Sequence, residues 1–432
     1  MNPKFIFIQT YGCSANQNNS EILKGILASA GYQITNNEKI ADILIINTCI
    51  VKGKTENKIK RRIQDLKKIY PKKPTIITGC MPETDKKAIQ QLNPKALMLG
   101  THNIKNIINL IQNQENYLNQ RNEEKILLPK ISNNKLISIT QISEGCLGDC
   151  SYCKAKLAKG KLFSYSEEKI IKSIQNDLEQ GAKEVWLTSQ DCAAYNLDRG
   201  NSGLPELLNK ILSLKHKFKL RLGMLNPNHI LPILEELIQI YKNKKMYKFL
   251  HIPIQSADDK VLKDMNRNYK IEQAENIIRS FKKEIPYITI ATDIIVGYPT
   301  ETEQSHKNNL NFIKNFKPDV LNLSKFSSHK QTKAGLLKEL PIQTINRKST
   351  EIMNEHRQTA MENKHYLKDK IIKVFVNNKT AQGIYEARDE NYNIVLIKSD
   401  DKSVLGKTIE VKIKQIGVHH MIGEISGGLF IN

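Results

Sequence analysis

The chain has 432 residues, 40% apolar and 25% charged, which is ordinary for a folded soluble protein and long enough for two or three domains. No run approaches 18 uninterrupted apolar residues, and residues 1–10 lack the charged and apolar blocks of a signal peptide, so a cytoplasmic protein with no membrane partner is expected. The formal charge of +22, from 66 Lys and Arg against 44 Asp and Glu, points to a polyanionic partner. The excess is uneven: residues 1–135 hold 21 basic and 10 acidic side chains, residues 366–432 only 10 and 8.

From the N-terminus, strands are predicted at 5–9, 43–46 and 75–78 and helices at 19–30 and 55–69. Alternation of this kind makes an α/β domain with a parallel sheet, assigned to 1–112. Its second helix lies in a run, 52–73, with ten Lys or Arg against Glu56 and Asp65. Such a face neutralises phosphates or is merely solvated. Cys13, Cys49 and Cys80 each follow one of the three strands. Ligands of open parallel sheets gather outside the strands' carboxyl ends, so the three thiols are expected to converge although they lie 36 and 31 positions apart. Singly, each would read as a buried apolar thiol.

A polar linker over 113–135 precedes a second β/α series. Strands are predicted at 136–142, 184–188, 219–223, 247–254, 287–296 and 320–325, with helices at 167–180, 204–214, 228–240, 274–283 and 303–316. Six such units over 136–341 make a partial (β/α)6 barrel with its chemistry at the strands' carboxyl ends. A linking helix over 342–365 leads to 366–432, where alternation at 371–376, 394–397 and 409–413 predicts a small all-β barrel.

The loop after the first barrel strand carries Cys146, Cys150 and Cys153, spaced CxxxCxxC, with Tyr152 before the last. Thiolates are natural ligands of iron–sulfur clusters, and three of them on a four-iron cluster leave one iron open. Zinc is the competitor, but a closed structural zinc site wants four ligands and no nearby Cys or His completes one.

The motif resembles the signature of radical S-adenosylmethionine enzymes. That resemblance implies that the amine and carboxylate of S-adenosylmethionine chelate the open iron, and that one electron yields a 5′-deoxyadenosyl radical. Two three-cysteine sites followed by a small β module resemble the methylthiotransferase family. Glu144-Gly145-Cys146-Leu147-Gly148, Lys154 through Ala158-Lys159-Gly160 and Ser164-Tyr165 are similar to its archaeal and eukaryotic tRNA-modifying branch, as are Trp186 to Asp191, Leu222 to Pro227 and Thr292 to Pro299.

The resemblance implies a Rossmann-like N-terminal domain, a radical barrel and a TRAM-like RNA-binding barrel. It also implies two 4Fe-4S clusters, on Cys146, Cys150 and Cys153 and on Cys13, Cys49 and Cys80, with S-adenosyl-L-methionine. The expected reaction replaces C2–H of N6-threonylcarbamoyladenosine, at position 37 beside the anticodon, by a methylthio group. An unactivated aromatic C–H offers general acid–base chemistry little purchase, so a cofactor must carry the hard step. The implied partners are the tRNA anticodon stem-loop and an electron-donor protein.

Further cofactor contacts are expected from Tyr152, Ser189, Gln190, Asp191, Gln255, Ser256, Gly297 and Pro299. For Asp191 a helix N-cap is the alternative role. Arg267 reads as a partner for a carboxylate or phosphate, or as a surface ion pair. The pattern departs from the family at Cys192-Ala193, Ala257-Asp258 and Lys330-Gln331. Rival readings are isopentenyladenosine in tRNA or a ribosomal-protein aspartate as substrate, and a non-catalytic zinc-containing RNA-binding protein.

Overall fold

The computed structural model describes residues 4–119 and 122–426. Strands β1 (Phe5–Thr10), β2 (Gln33–Thr35), β3 (Ile43–Thr48), β4 (Thr75–Gly79) and β5 (Leu97–Gly100) form one parallel sheet in the order β2-β1-β3-β4-β5. Every residue of β3 and β4 is buried, as their runs of Ile and Leu require when helices cover both faces. The expected series lacks β2 and β5, which are short, and β2 carries only one strongly apolar residue.

Helix α1 (Ser14–Ser29) begins five residues before its predicted start. Its first turns bury Asn16, Asn18, Asn19 and Ser20, polar residues that hide the helix from an apolar-period reading. Tertiary hydrogen bonds hold their amides: Asn16 Nδ2 donates to the carbonyls of Tyr11 (2.9 Å) and Thr48 (2.8 Å), and Asn18 Nδ2 to that of Ile139 (2.7 Å). Helix α2 (Gly53–Ile69) buries Ile59, Ile63 and Leu66 and turns its basic residues outward.

The central unit opens with β6 (Ile137–Gln141) and a two-residue antiparallel pair, β7 (Ser143–Glu144) and β8 (Phe163–Ser164). It continues through β9 (Glu184–Thr188), β10 (Lys219–Arg221), β11 (Phe249–His251), β12 (Thr289–Val296) and β13 (Val320–Lys325). Two parallel sheets result, β10-β9-β6 and β11-β12-β13. Leu220 stitches them together, its N–H donating to Lys245 O (2.7 Å) and its carbonyl accepting from Tyr247 N–H (2.9 Å). The six parallel strands thus form an open barrel. β11 ends earlier than alternation suggests because Pro253 has no N–H to pair and Gln255 sits at φ +67°, outside the strand region.

The long helix Ile342–Lys364 packs along β13 and leads to a closed five-stranded barrel. Its strands are β14 (Ile371–Ala381), β15 (Ile384–Arg388), β16 (Ile394–Lys398), β17 (Thr408–Ile416) and β18 (Met421–Ile425), in the order β14-β15-β16-β18-β17. This module docks at the amino end of the central strands. Asn377 Nδ2 donates to buried Glu184 (3.1 Å), and the Tyr392 ring meets Trp186, Tyr247 and Phe249. It therefore caps the end opposite the cysteine loop.

The stretch 113–135 packs closely where it is described. Tyr117 bridges to Leu99, the Pro129 backbone lies against Gly25, and Lys125 is 1% exposed. Among the described residues no helix is long and apolar enough to cross a membrane.

Candidate active site

β6 carries the chain to the carboxyl end of the barrel, where Gly145, at φ +72°, turns it into the cysteine loop. A Cβ at Gly145 would strike the Lys161 carbonyl, so the turn requires glycine on both counts. The loop is pinned at several points. Gly145 N–H donates to Gln190 Oε1 (2.8 Å), Cys146 N–H to Gly160 O (3.3 Å) and Cys153 N–H to Cys150 O (3.0 Å). Ser151 Oγ reaches Asp264 O (2.9 Å) and shares a 2.9 Å hydrogen bond with the Tyr298 hydroxyl.

Two donors point at the sulfurs themselves: Gly148 N–H at Cys146 Sγ (3.2 Å) and Arg267 Nη1 at Cys150 Sγ (3.5 Å). Burial, with the nearby Asp191 charge, pushes the Cys146 thiol up to about 12, and burial also raises Cys153. Such thiols stay protonated until a metal replaces the proton. Among the described residues no three His, Cys, Asp or Glu side chains converge on a single metal ion. A four-iron cluster takes each thiolate on a different iron, so these three thiols with donors to their sulfurs fit a cluster.

The second trio is assembled by topology. β1, β3 and β4 are neighbours, and Cys13, Cys49 and Cys80 follow their carboxyl ends. Gly12, at φ +108°, brings its backbone against Cys49; a Cβ there would lie 2.8 Å from Cys49 Cβ. Thr48 locks the adjacent ends, its carbonyl accepting from Cys80 N–H (3.1 Å) and its hydroxyl from Met81 N–H (3.0 Å). Cys13 is exposed, whereas Cys49 and Cys80 are buried. Burial raises both, Cys80 to about 12, and the three thiols lie within one another's fields.

One short helix joins the two sites. Lys154–Lys159, capped by Cys153, packs on Met81–Thr84, capped by Cys80. Ala158 shares an apolar cluster with Cys49, Cys80 and Met81. Buried Lys154 clamps the contact with ion pairs to Asp85 (2.7 Å) and Glu56 (3.2 Å).

The other expected site residues surround the cysteine loop in different ways. Asp191 caps the turn Cys192–Ala194, with Oδ1 accepting from Ala193 N–H (3.1 Å) and Asn226 N–H (3.0 Å) and Oδ2 2.6 Å from His229 Nδ1. Both oxygens are engaged, so its visible role is the capping alternative plus orientation of His229. Ser189 Oγ donates to Cys192 Sγ (3.4 Å) and accepts from Asp191 N–H (3.1 Å). Gln255 pairs through its backbone with Asp293 and Ile295, while Ser256 is buried and accepts from Asp258 N–H (3.3 Å).

At Gly297 (φ +79°) a Cβ would lie 2.6 Å from Ile345, so its missing side chain makes room for the long helix. Its N–H donates to Glu301 (3.0 Å), which pairs with buried Lys348 (2.9 Å). Pro299 is half-buried beside this brace, and Tyr152 packs near Tyr298 and Met265.

Arg267 is not a surface ion pair. Its guanidinium lies between Cys150, the Asn226 side chain (2.9 Å) and the Pro253 carbonyl (3.1 Å), 5.1 Å from the Tyr269 ring centroid. Sequence reasoning misses His229 and the Asn226 bridge to Arg267, because only folding brings these loops together.

The departures from the family pattern each have a local role. Cys192 fills the space beside Gly223, Asp258 caps the helix Asp259–Asp264, and Gln331 Nε2 donates to Thr84 O (2.6 Å) in the N-terminal unit. On the surface, Lys54, Lys58, Arg61, Lys67 and Lys68 of α2 are exposed, and Lys58 lies 5.9 Å from the Tyr11 ring centroid, beside Cys13. Lys60 and Arg62 are instead paired with Glu56 and Glu38.

Two family profiles match: residues 5–100 the Uncharacterized protein family UPF0004, and residues 140–313 the Radical SAM superfamily. The solved structure of the radical S-adenosylmethionine methyltransferase TsrM from Kitasatospora setae superposes with a TM-score of 0.57 at 12% identity, over 77% of each chain. The cobalamin-dependent radical enzyme OxsB gives 0.54 at 13%, over 82% of this chain and 56% of that one. At such identities the two structures establish the shared fold. Superfamily membership brings S-adenosylmethionine and one 4Fe-4S cluster as cofactors.

Curated relatives extend the likeness to nearly the full chain. A Pyrococcus horikoshii protein described as a probable threonylcarbamoyladenosine tRNA methylthiotransferase is 34% identical over 97% of this chain and 99% of its own length. An Archaeoglobus fulgidus protein of the same description is 35% identical over 98% of each. The human threonylcarbamoyladenosine tRNA methylthiotransferase is 32% identical over 97% of this chain and 73% of its own. The chain belongs to the threonylcarbamoyladenosine tRNA methylthiotransferase family of radical S-adenosylmethionine enzymes.

Proposed function

We propose that the protein converts N6-threonylcarbamoyladenosine at position 37 of tRNA to its 2-methylthio derivative, using two 4Fe-4S clusters and S-adenosylmethionine. The observation that carries this reading is the pairing of two cysteine trios across the helix Lys154–Lys159, in a chain similar end to end to named methylthiotransferases. Cys146, Cys150 and Cys153 would hold the cluster that supplies one-electron cleavage of S-adenosylmethionine. Cys13, Cys49 and Cys80 would hold the second cluster, the sulfur-delivering site.

The chain's own residues supply position and charge. Gln190 fixes the turn at Gly145, and Arg267 neutralises charge at Cys150. Ser189, Gln255, Ser256, Gly297 and Pro299 line the strand ends where the nucleotide would sit, Tyr152 lies beside Cys153, and Asp191 orients the loop that carries His229. The exposed basic face of α2, next to Tyr11 and Cys13, would receive the anticodon stem-loop, and a separate protein would donate electrons. A reducing cytoplasm suits seven free cysteines.

Mass spectrometry of tRNA nucleosides from a deletion strain tests the reading. Loss of methylthiolated threonylcarbamoyladenosine, with its precursor accumulating, is expected. Retention of the modified nucleoside would refute it.

A further inference from the structure

Between the two cysteine trios lies a buried ionic group with no part in the chemistry above. Glu144, two residues before Cys146, is 0% exposed; around it are Lys125, Lys159 and His102 at 1%, 3% and 2% side-chain exposure. Glu144 Oε1 accepts from Lys125 Nζ, from Lys159 Nζ at 2.9 Å and from Gln141 Nε2 at 2.8 Å, while Oε2 lies 2.8 Å from His102 Nδ1. Lys159 Nζ also donates to Thr101 Oγ1 (2.7 Å), and His102 Nε2 meets the Lys159 carbonyl (3.1 Å). Lys125 further reaches Asn19 Oδ1 (3.0 Å) and Thr101 O (3.1 Å).

The group is drawn from both sides of the interface. Asn19, Thr101 and His102 come from the N-terminal sheet unit, and Gln141, Glu144 and Lys159 from the barrel. Burial pushes Glu144 up, but the two ammoniums and His102 override it and hold the carboxyl well below the usual range. Lys159 ends the helix whose Ala158 packs with Cys49 and Cys80, so its charge lies within the field of Cys80 and Cys13, opposed at Cys80 by the weaker effect of Glu144.

A buried ion pair is a costly way to hold an interface, since well-packed apolar residues usually do as well or better. A fixed cation beside an iron–sulfur cluster does something apolar residues cannot do. The potential of an iron–sulfur cluster depends on nearby charge and on its exposure to solvent, and at low dielectric one positive charge stabilises the more reduced, more negative state.

We infer that Lys159, held by Glu144 and Thr101, is a positioning residue that sets the charge environment of the Cys13, Cys49 and Cys80 site. This rests on the two-cluster reading. Glu144 continues directly into Gly145 and Cys146, so the same carboxylate that holds Lys159 also anchors the radical loop. One buried anion thus fixes the N-terminal site's cation and the barrel's cysteine loop with respect to each other.

The test uses full-length protein in which Cys146, Cys150 and Cys153 are replaced by Ala, reconstituted anaerobically so that only the N-terminal site carries iron. EPR-monitored reductive titration then compares Lys159, Lys159→Gln and Lys159→Arg. The Gln variant keeps hydrogen-bonding capacity for Glu144 and Thr101 without charge, and its midpoint potential is expected to move negative. The Arg variant is expected to titrate like the parent. Equal potentials in all three would overturn the role of Lys159, as would an equal shift of the barrel cluster in a Cys13, Cys49 and Cys80 background. A parent that retains no iron would instead refute the second cluster and leave Lys159 without a cluster to tune.

Discussion

Cys146, Cys150 and Cys153 lie within eight residues of one loop, whereas Cys13, Cys49 and Cys80 meet only because β1, β3 and β4 pair in parallel. The loop trio has its spacing from eight contiguous residues and a left-handed glycine, and the loop is then pinned to Gln190, Gly160, Asp264 and Tyr298. The strand-end trio owes its geometry to sheet register and to the Thr48 and Asn16 bonds that tie strand ends together. A trio carried on one loop keeps its sequence spacing whatever happens elsewhere, while an assembled trio inherits every weakness of its sheet. Their cations differ in the same sense. Arg267 donates to Cys150 from a neighbouring barrel loop, but Lys159 acts on the N-terminal trio only through its field, held at the interface by Glu144 and Thr101.

The sharpest way to break the comparison is to remove one thiol from each site. Cys150→Ala is expected to bring 5′-deoxyadenosine formation to background, measured by liquid chromatography of anaerobic reactions with dithionite. Cys49→Ala is expected to keep most of that cleavage while losing the methylthiolated nucleoside. Loss of cleavage in both variants would mean that the two sites do not divide the work.

Next in size is the shared anchor. Glu144→Ala leaves Lys125 and Lys159 without their buried carboxylate, a change that costs about 3–5 kcal/mol. Urea unfolding is expected to register that loss, and iron content is expected to fall at both sites together. A fall confined to the barrel site would show that Glu144 serves the radical loop alone.

How legible each piece is in the sequence follows from how it is built. The loop trio is a spacing and can be read directly. The strand-end trio can be read only through the order of elements, because nothing in the sequence between them marks the three thiols as partners. The Glu144 group cannot be read at all: Lys125 falls in a polar stretch that looks like a linker, and His102 and Thr101 follow β5, a strand too short to show alternation. The apolar period makes α1 too short because buried asparagines interrupt it, and makes β11 too long because the apolar run Ile252 to Ile254 continues where Pro253 interrupts the ladder. Asp191 stands at a strand end, as position suggests, and its oxygens serve a cap and a histidine, which the sequence does not show.

The glycines give a smaller, paired test. Gly145→Ala places a side chain at φ +72° and against the Lys161 carbonyl, and Gly12→Ala places one at φ +108° and 2.8 Å from Cys49 Cβ. Left-handed backbone alone costs about 1–2 kcal/mol per residue. Each variant is expected to lose iron selectively at its own site, read by Mössbauer counting after reconstitution, with the other cluster retained. Gly12→Ala is expected to be milder, since its closest approach is 2.8 Å, against 1.9 Å to the Lys161 carbonyl oxygen at Gly145.

The smallest effect on folding belongs to the basic face of α2, which distinguishes the N-terminal site from the barrel site by what lies outside it. Lys54, Lys58 and Arg61 are exposed at helical spacing, and Lys58 lies over the Tyr11 ring beside Cys13. Replacing all three by Gln removes no buried partner, so stability is expected to change by about 0.5 kcal/mol or less per site. Binding to tRNA behaves differently, because each phosphate that a cation no longer neutralises reduces the slope of log K against log salt by about 0.7 for single-stranded RNA. The triple variant is therefore expected to bind tRNA more weakly at low salt, with the slope reduced by about 2, while cleaving S-adenosylmethionine normally in the absence of RNA. An unchanged slope would move the RNA off this face, and the strand-end trio would then have to meet its substrate from the barrel side.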